Sequence, residues 1–165
     1  MKYGRLKLKN YIVLLVGKSG VGKSTIENIF KNQYGYKPVR SYTTRVPRYE
    51  NEESHIFVSE AEYQKMKDDM CAFTEFDGNK YWATNAQVNE SDIYVIDPAG
   101  IDYFKKHYKG KKKIISVELL AHKSVRYKRM RSRGDSVFKA IRRIRHDKKA
   151  FAKTNTILTV NANIN

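Results

Sequence analysis

The sequence predicts an α/β fold, a parallel sheet flanked by helices, on three observations. Short continuous apolar runs recur along the chain, and amphipathic stretches of helical spacing alternate with them. No Gly/Ser/Pro-rich linker, repeat or low-complexity tract interrupts the alternation. At 165 residues the chain fits one domain that buries a core without disulfides or metal.

Tyr11 to Val16 is a continuous apolar run ending at a glycine, the pattern of a strand buried on both faces of a parallel sheet. A helix is expected from about Ser24 to Gln33. Ser59 and Glu62 have capping-box spacing and open a helix through about Asp68. Ala72 to Phe76 and Lys80 to Thr84 flank Asp77-Gly78-Asn79, a turn signal that predicts an antiparallel hairpin. Further core strands are expected at Ile93 to Ile96 and Ile114 to Val117, with a last one at Thr156 to Val160. Helices are expected over Ile101 to Tyr108, Ser124 to Arg131 and Val137 to Phe151, the last with Val137, Ile141, Ile144 and Phe151 on one face.

Composition bounds the function. Hydrophobic residues make up 41% and charged residues 30%, a globular balance despite a mean hydropathy of -0.68. The single cysteine, Cys71, has no partner within the chain, and no apolar stretch approaches membrane-spanning length, so a reducing cytoplasmic setting is expected. His55, His107, His122 and His146 lack metal-ligand spacing, which argues against a protein-bound zinc site. Lys and Arg number 33 against 17 Asp and Glu, a formal net charge of +16. That excess implies an anionic partner, or a solvated basic surface with weak nonspecific affinity for nucleic acid.

The decisive segment is Gly17-Lys18-Ser19-Gly20-Val21-Gly22-Lys23-Ser24, which satisfies G-x-x-x-x-G-K-[ST] between the first strand and the first helix. Its glycines let the chain turn tightly, so that successive N–H groups point at phosphate oxygens and the helix N-terminus adds positive partial charge. Lys23 is then placed for the β- and γ-phosphates of ATP, Ser24 offers a hydroxyl to Mg²⁺, and Thr25 supplies another close by. The loop implies a P-loop NTPase-type sheet and a bound nucleoside triphosphate. It does not name the phosphate acceptor.

Arg45 and Arg48 stand three apart, with Pro47 stiffening the segment between them, a pairing suited to a phosphate dianion. Here the chain resembles the guanylate kinase family, whose T-T-R-x-x-R segment is similar to Thr43-Thr44-Arg45-Val46-Pro47-Arg48. The resemblance continues in order through Phe57-Val58-Ser59, Gly78-Asn79-Lys80-Tyr81, Asp97 with Gly100, and Arg131-Ser132-Arg133-Gly134, covering roughly Tyr11 to Asn161. It implies a core over about 8–40 and 90–165, a β-rich acceptor-binding insertion over about 41–89, and an Arg-rich lid over about 131–143.

The resemblance further implies ATP and Mg²⁺ as cosubstrate and ion, with phosphoryl transfer to a nucleoside or deoxynucleoside monophosphate. Arg45, Arg48 and Tyr81 would hold the acceptor phosphate, and Ser41, His55 and Thr84 would border the acceptor pocket. Asp97 would lie near the metal and the acceptor, with a helix cap before Ile101 as the alternative. Arg133 and Arg143 would neutralise the transferring group, although Arg129, Arg131, Arg142 and Arg145 are equally basic neighbours.

The departures from the family concern the acceptor pocket. His55 stands in place of a tyrosine, Trp82 in place of a glycine, and Ala72 where a guanine-reading carboxylate is expected if the register is ungapped. A bulge near Asp77-Gly78 would instead turn Glu75 inward. Two other readings stay open: a kinase for another small phosphorylated acceptor such as a ribose phosphate, and a noncatalytic module that binds nucleic acid or protein.

Overall fold

In the computed structural model, which describes residues 10–47, 49–76, 78–152 and 156–163, the first apolar run forms β1 (Tyr11–Gly17), with Ile12, Leu14 and Val16 fully buried. The chain continues through α1 (Lys23–Tyr34), β2 (Tyr42–Thr43), β3 (Ile56–Phe57), α2 (Glu60–Met66) and a single 3-10 turn (Lys67–Asp69). The hairpin β4 (Met70–Phe76) and β5 (Asn79–Thr84) follows, then α3 (Asn85–Asn89), β6 (Ile93–Val95), α4 (Pro98–His107) and β7 (Lys113–Leu120). The final elements are α5 (Lys123–Ser132), α6 (Val137–Ala150) and β8 (Leu158–Asn161).

The main sheet is parallel throughout, in the order β6-β1-β7-β8. Side chains alternate across a strand, so β1 feeds two apolar clusters at once. Ile12, Leu14 and Val16 pack with Tyr94, Ile101 and Phe104 on the side of α4, while Val13 and Leu15 meet Ile26 and Phe30 of α1. Burial on both faces is why the strand reads as an unbroken apolar run. A second sheet, in the order β3-β2-β5-β4, carries the predicted hairpin and two short strands, of which β2 forms just before Arg45, where a short strand is expected, and β3 is unmarked by residue patterning.

Local signals set most boundaries. α1 starts one residue before its expected position and stops at Gly35, whose left-handed backbone returns its N–H to Lys31. Ser59 and Glu62 form the predicted capping box on α2, and the last residues expected there tighten into the 3-10 turn. α4 begins at Pro98 rather than Ile101, because the Asp97 side chain accepts from the Gly100 N–H and proline suits the first helical turn. The last strand is shifted toward the C-terminus of the expected segment.

α6 keeps its expected apolar face only toward its end, where Ile144 is half-buried and Phe151 packs against the core. Val137 and Ile141 are 43% and 38% exposed and Phe138 is 88% exposed, whereas Ala140 and Asp147 are the helix's buried residues. The helix is rolled so that a carboxylate, met by Arg126 of α5, points inward in place of the branched apolar side chains.

The loop between β1 and α1 docks tightly against α5. A Cβ on Gly20, whose φ is +77°, would lie 2.6 Å from the Arg126 carbonyl oxygen and 3.1 Å from Met130. Gly134 also has a positive φ, but nothing lies within 4 Å of its added Cβ. Gly20→Ala therefore carries backbone strain plus overpacking, on the order of 3 kcal/mol, whereas Gly134→Ala carries only the strain of about 1 kcal/mol. Thermal unfolding is expected to show a markedly larger drop in Tm for Gly20→Ala, and equal drops would contradict the docking described.

Candidate functional site

The site begins at the loop. β1 delivers Gly17 from the sheet, the chain turns with Val21 donating to the Lys18 carbonyl, and α1 starts after Gly22 with no side-chain cap and no acidic residue in its first turn. Orphan N–H groups at that helix end, with the positive end of its dipole, leave a cradle suited to an anion. Lys23 crosses the loop, its Nζ donating to the Gly17 carbonyl and, at 3.5 Å, to that of Lys18. An ammonium has three N–H groups, so the remaining one is available to a phosphate oxygen. Burial pushes Lys23 down to about 8; Asp147 opposes that shift, and Arg133 and Arg126 add to it.

Two helices clasp the loop from outside. The Asp147 carboxylate of α6 accepts from the Ser19 backbone N–H at 3.0 Å, from the Ser19 hydroxyl at 3.2 Å and from Arg126 Nη1 at 2.9 Å. Arg129 of α5 donates to the Val21 carbonyl at 2.9 Å and the Ala162 carbonyl at 3.0 Å. Neither Arg126 nor Asp147 belongs to a sequence motif. Asp147 lies one turn after Arg143 on the same helix, a spacing that becomes informative only once α6 is known to face the loop.

The two expected lid arginines share one carboxylate. Arg133 donates to Asp135 at 2.7 and 3.0 Å, and Arg143 approaches the same oxygen at 3.7 Å. Burial alone would raise the Asp135 carboxyl, but the Arg133 hydrogen bonds, together with Arg143 and Lys139, hold it below its ordinary value.

A cavity of about 430 Å³ runs from the loop to the second sheet. Gly17, Ser19 and Lys23 border one end, and Ser41, His55 and Tyr81 the other, with Arg143, His146 and Asp147 reaching in from α6. Ser41 Oγ and His55 Nδ1 are 2.9 Å apart, and the Tyr81 ring meets the imidazole edge-on at 5.4 Å. Midway, Thr74 donates to Asp97 Oδ2 at 2.7 Å while the Gly100 N–H reaches Oδ1 at 2.6 Å. Asp97 thus caps α4 and faces the cavity together. The Phe76 and His146 rings close one wall, edge to face at 4.9 Å.

Other expected site residues lie elsewhere. Arg45 is held by Glu52 through contacts of 2.8 and 3.2 Å and lies over the Phe57 ring, outside the cavity lining. Its Nε is buried without a hydrogen-bond partner among the described residues. Arg48 lies outside the described residues. Thr84 caps α3 by accepting from the Gln87 N–H and does not line the cavity. Ser24 and Thr25 are exposed, and Ser24 borders a separate depression beside Lys31 and Arg40. Among the described residues no group of three or more His, Cys, Asp or Glu side chains is placed to hold a metal ion. Cys71 is buried, with its thiol pushed up to about 12 by burial, which removes it as a nucleophile.

The hairpin register places the residues expected at the acceptor pocket. Pairing shifts between Met70 and Ala72, so the irregularity falls at Cys71, before Ala72. Beyond it Thr74 opposes Tyr81 and Glu75 opposes Lys80 in regular alternation. Ala72 is part of the apolar core with Ile101 and Phe104. Thr74 turns to Asp97, while Glu75 borders the cavity from the strand face it shares with Phe73 and Trp82. Trp82 fills the space of the expected glycine, fully buried against the Tyr42 and Tyr63 rings.

No family model matches the chain, and no curated protein sequence matches it. Among solved structures it is similar to guanylate kinase from Anaplasma phagocytophilum, with a TM-score of 0.58 and 18% sequence identity, over 92% of this chain and 77% of that one. Likeness at that identity concerns the path of the backbone: this chain has an α/β fold, with a parallel sheet flanked by helices, similar in its path to that of the guanylate kinase.

Proposed function

We propose that this protein transfers the γ-phosphoryl group of ATP to a nucleoside or deoxynucleoside monophosphate. The observation that carries this reading is the cavity joining the loop lysine Lys23 to the Ser41, His55 and Tyr81 wall, with Arg143 entering between them. One end offers N–H groups and an ammonium to a triphosphate. The other offers hydroxyl, imidazole and aromatic groups to an acceptor.

The chemistry asks little of the protein beyond alignment and charge compensation. A phosphate monoester has its second pKa near 6, so the acceptor is mostly a dianion at pH 7 and needs no general base. Its oxygen attacks the γ-phosphorus, the bond to the bridging oxygen breaks, and ADP leaves. Lys23 stabilises charge at the β- and γ-phosphates, and Arg143 and Arg133, tethered by Asp135, lie near the transferring group. Arg45 lies outside the cavity lining but is hydrogen-bonded to Tyr81 of its wall, and from there, once released from Glu52, it would orient the acceptor phosphate. Mg²⁺, when bound, would spread the charge of the phosphates. The exposed Ser24 hydroxyl at the start of α1 and the Asp97 carboxylate on the cavity wall are the oxygen donors that would hold it.

Lys23→Ala is expected to unfold at a temperature close to wild type and to lose phosphoryl transfer by about 100-fold or more. A coupled ADP-release assay checks this, and near wild-type turnover would remove the central claim.

The lowered Lys23 pKa gives a pH test. With Lys23 lowered to about 8, its neutral form is expected to be well populated near pH 8, and phosphate binding restores the charged form, so the contribution of Lys23 to ATP binding is a proton uptake that is substantial near pH 8 and almost absent at pH 6. Calorimetry in buffers of different ionisation enthalpy reads that uptake. It is expected to vanish in Lys23→Ala.

Acceptor choice is expected to extend beyond GMP and dGMP. Guanine is read well by a carboxylate accepting from N1–H and N2–H₂ together, and here Ala72 is in the core while Thr74 presents a single hydroxyl. Parallel turnover of GMP, dGMP, AMP, dAMP, dTMP and dCMP tests this. Activity confined to the guanine nucleotides and abolished in Glu75→Ala would show that Glu75 does the reading.

A further inference from the structure

We propose that Asp147 is a positioning residue: through Ser19 and Arg126 it fixes both the phosphate-binding loop and the roll of α6, and so aims Arg143 into the cavity. The inference rests on the phosphoryl-transfer reading of the same site.

The geometry is specific. Asp147 and Arg126 are 4% and 5% exposed, and the carboxylate spends hydrogen-bonding capacity on both the N–H and the hydroxyl of Ser19 besides the guanidinium. Arg126 closes the ring by reaching the Ser19 carbonyl at 3.5 Å, and its own backbone packs where a Cβ on Gly20 would sit. The loop is therefore tied to α5 and α6 through one charge pair.

Stability is a poor reason for that pair. Two buried charges give up hydration that their attraction roughly repays, and apolar residues of the same volume commonly serve a fold as well. α6 carries suitable apolar residues, yet it leaves Val137, Ile141 and Phe138 toward solvent and turns Asp147 inward. The orientation follows the carboxylate. Residues four apart share a helix face, so the roll that seats Asp147 on Ser19 also sends Arg143 into the cavity. Rotating α6 to bury Val137 and Ile141 would carry Arg143 away from Lys23.

The test compares wild type, Asp147→Ala and the double variant Arg126→Met/Asp147→Leu. The double variant keeps the net charge and replaces a buried pair with apolar side chains, so its Tm is expected near wild type while Asp147→Ala melts lower. Both are expected to lose kcat by on the order of 100-fold, with acceptor KM changed less than about threefold, because misplacement of a transfer group by about 1 Å costs that much. ATP affinity, read by calorimetry without turnover, is expected to weaken about tenfold in the folded double variant, since Ser19 loses its tether. A double variant with wild-type ATP affinity and turnover would overturn the proposal and leave the pair a packing device. A wild-type protein that binds ATP but transfers phosphate to no acceptor would sink the kinase reading alone, and the affinity comparison would still decide the tether.

Discussion

A phosphate cradle built from backbone N–H groups works only if the backbone is held, because a free loop of this length spreads its donors over many conformations. In this protein the constraint comes from outside the loop. Gly17 is fixed by the sheet, Ser19 by Asp147, Gly20 by the backbone of α5, and Val21 by Arg129. Lys23 then spans the turn and fastens it from within. Helices distant in sequence are thus part of the loop's geometry, and displacing α5 or α6 would disturb the donors before it disturbed the core.

The same region shows how a strongly cationic chain manages its own charge. Asp135 gathers Arg133, Lys139 and Arg143; Asp147 holds Arg126; Glu52 holds Arg45. An ion pair about 3 Å apart at an effective dielectric of 20 attracts by about 5 kcal/mol, while removing the two ions from water costs several kcal/mol each. The terms nearly cancel. What remains is orientation: Arg45, Arg126 and Arg133 are each held by directional hydrogen bonds to a carboxylate. Donors already in position lower the ordering entropy paid when an anion binds.

The far end of the cavity follows a different logic. Its wall is aromatic, with Tyr81 edge-on to His55 and Phe76 against His146, and two of its hydroxyls are already engaged, Ser41 with His55 and Thr74 with Asp97. Such a surface rewards shape and stacking more than a particular hydrogen-bonding edge. Trp82 reinforces this by packing the second sheet from within, with its indole N–H buried and lacking a hydrogen-bond partner among the described residues.

Sequence alone determined whatever is written locally. The apolar run at β1, the octet that turns into α1, the capping box on α2 and the β4–β5 hairpin are each set by neighbours within a few residues, and each forms where its pattern places it. The glycine-rich loop was legible for the same reason, since it is contiguous. Tertiary structure decided the rest. Val137 and Ile141 read as an inward face of α6, but a carboxylate seated on Ser19, 128 residues away, set the roll instead. Thr84 was spent on a helix cap and Arg45 on a buried glutamate, choices fixed by where the chain turned back on itself. The register of β4 turned on one irregular residue, Cys71, which decided that Thr74 meets Asp97 and that Ala72 joins the core. Period-2 alternation reports which residues share a face but not which face turns inward, and that is settled only when the partner surfaces are in place.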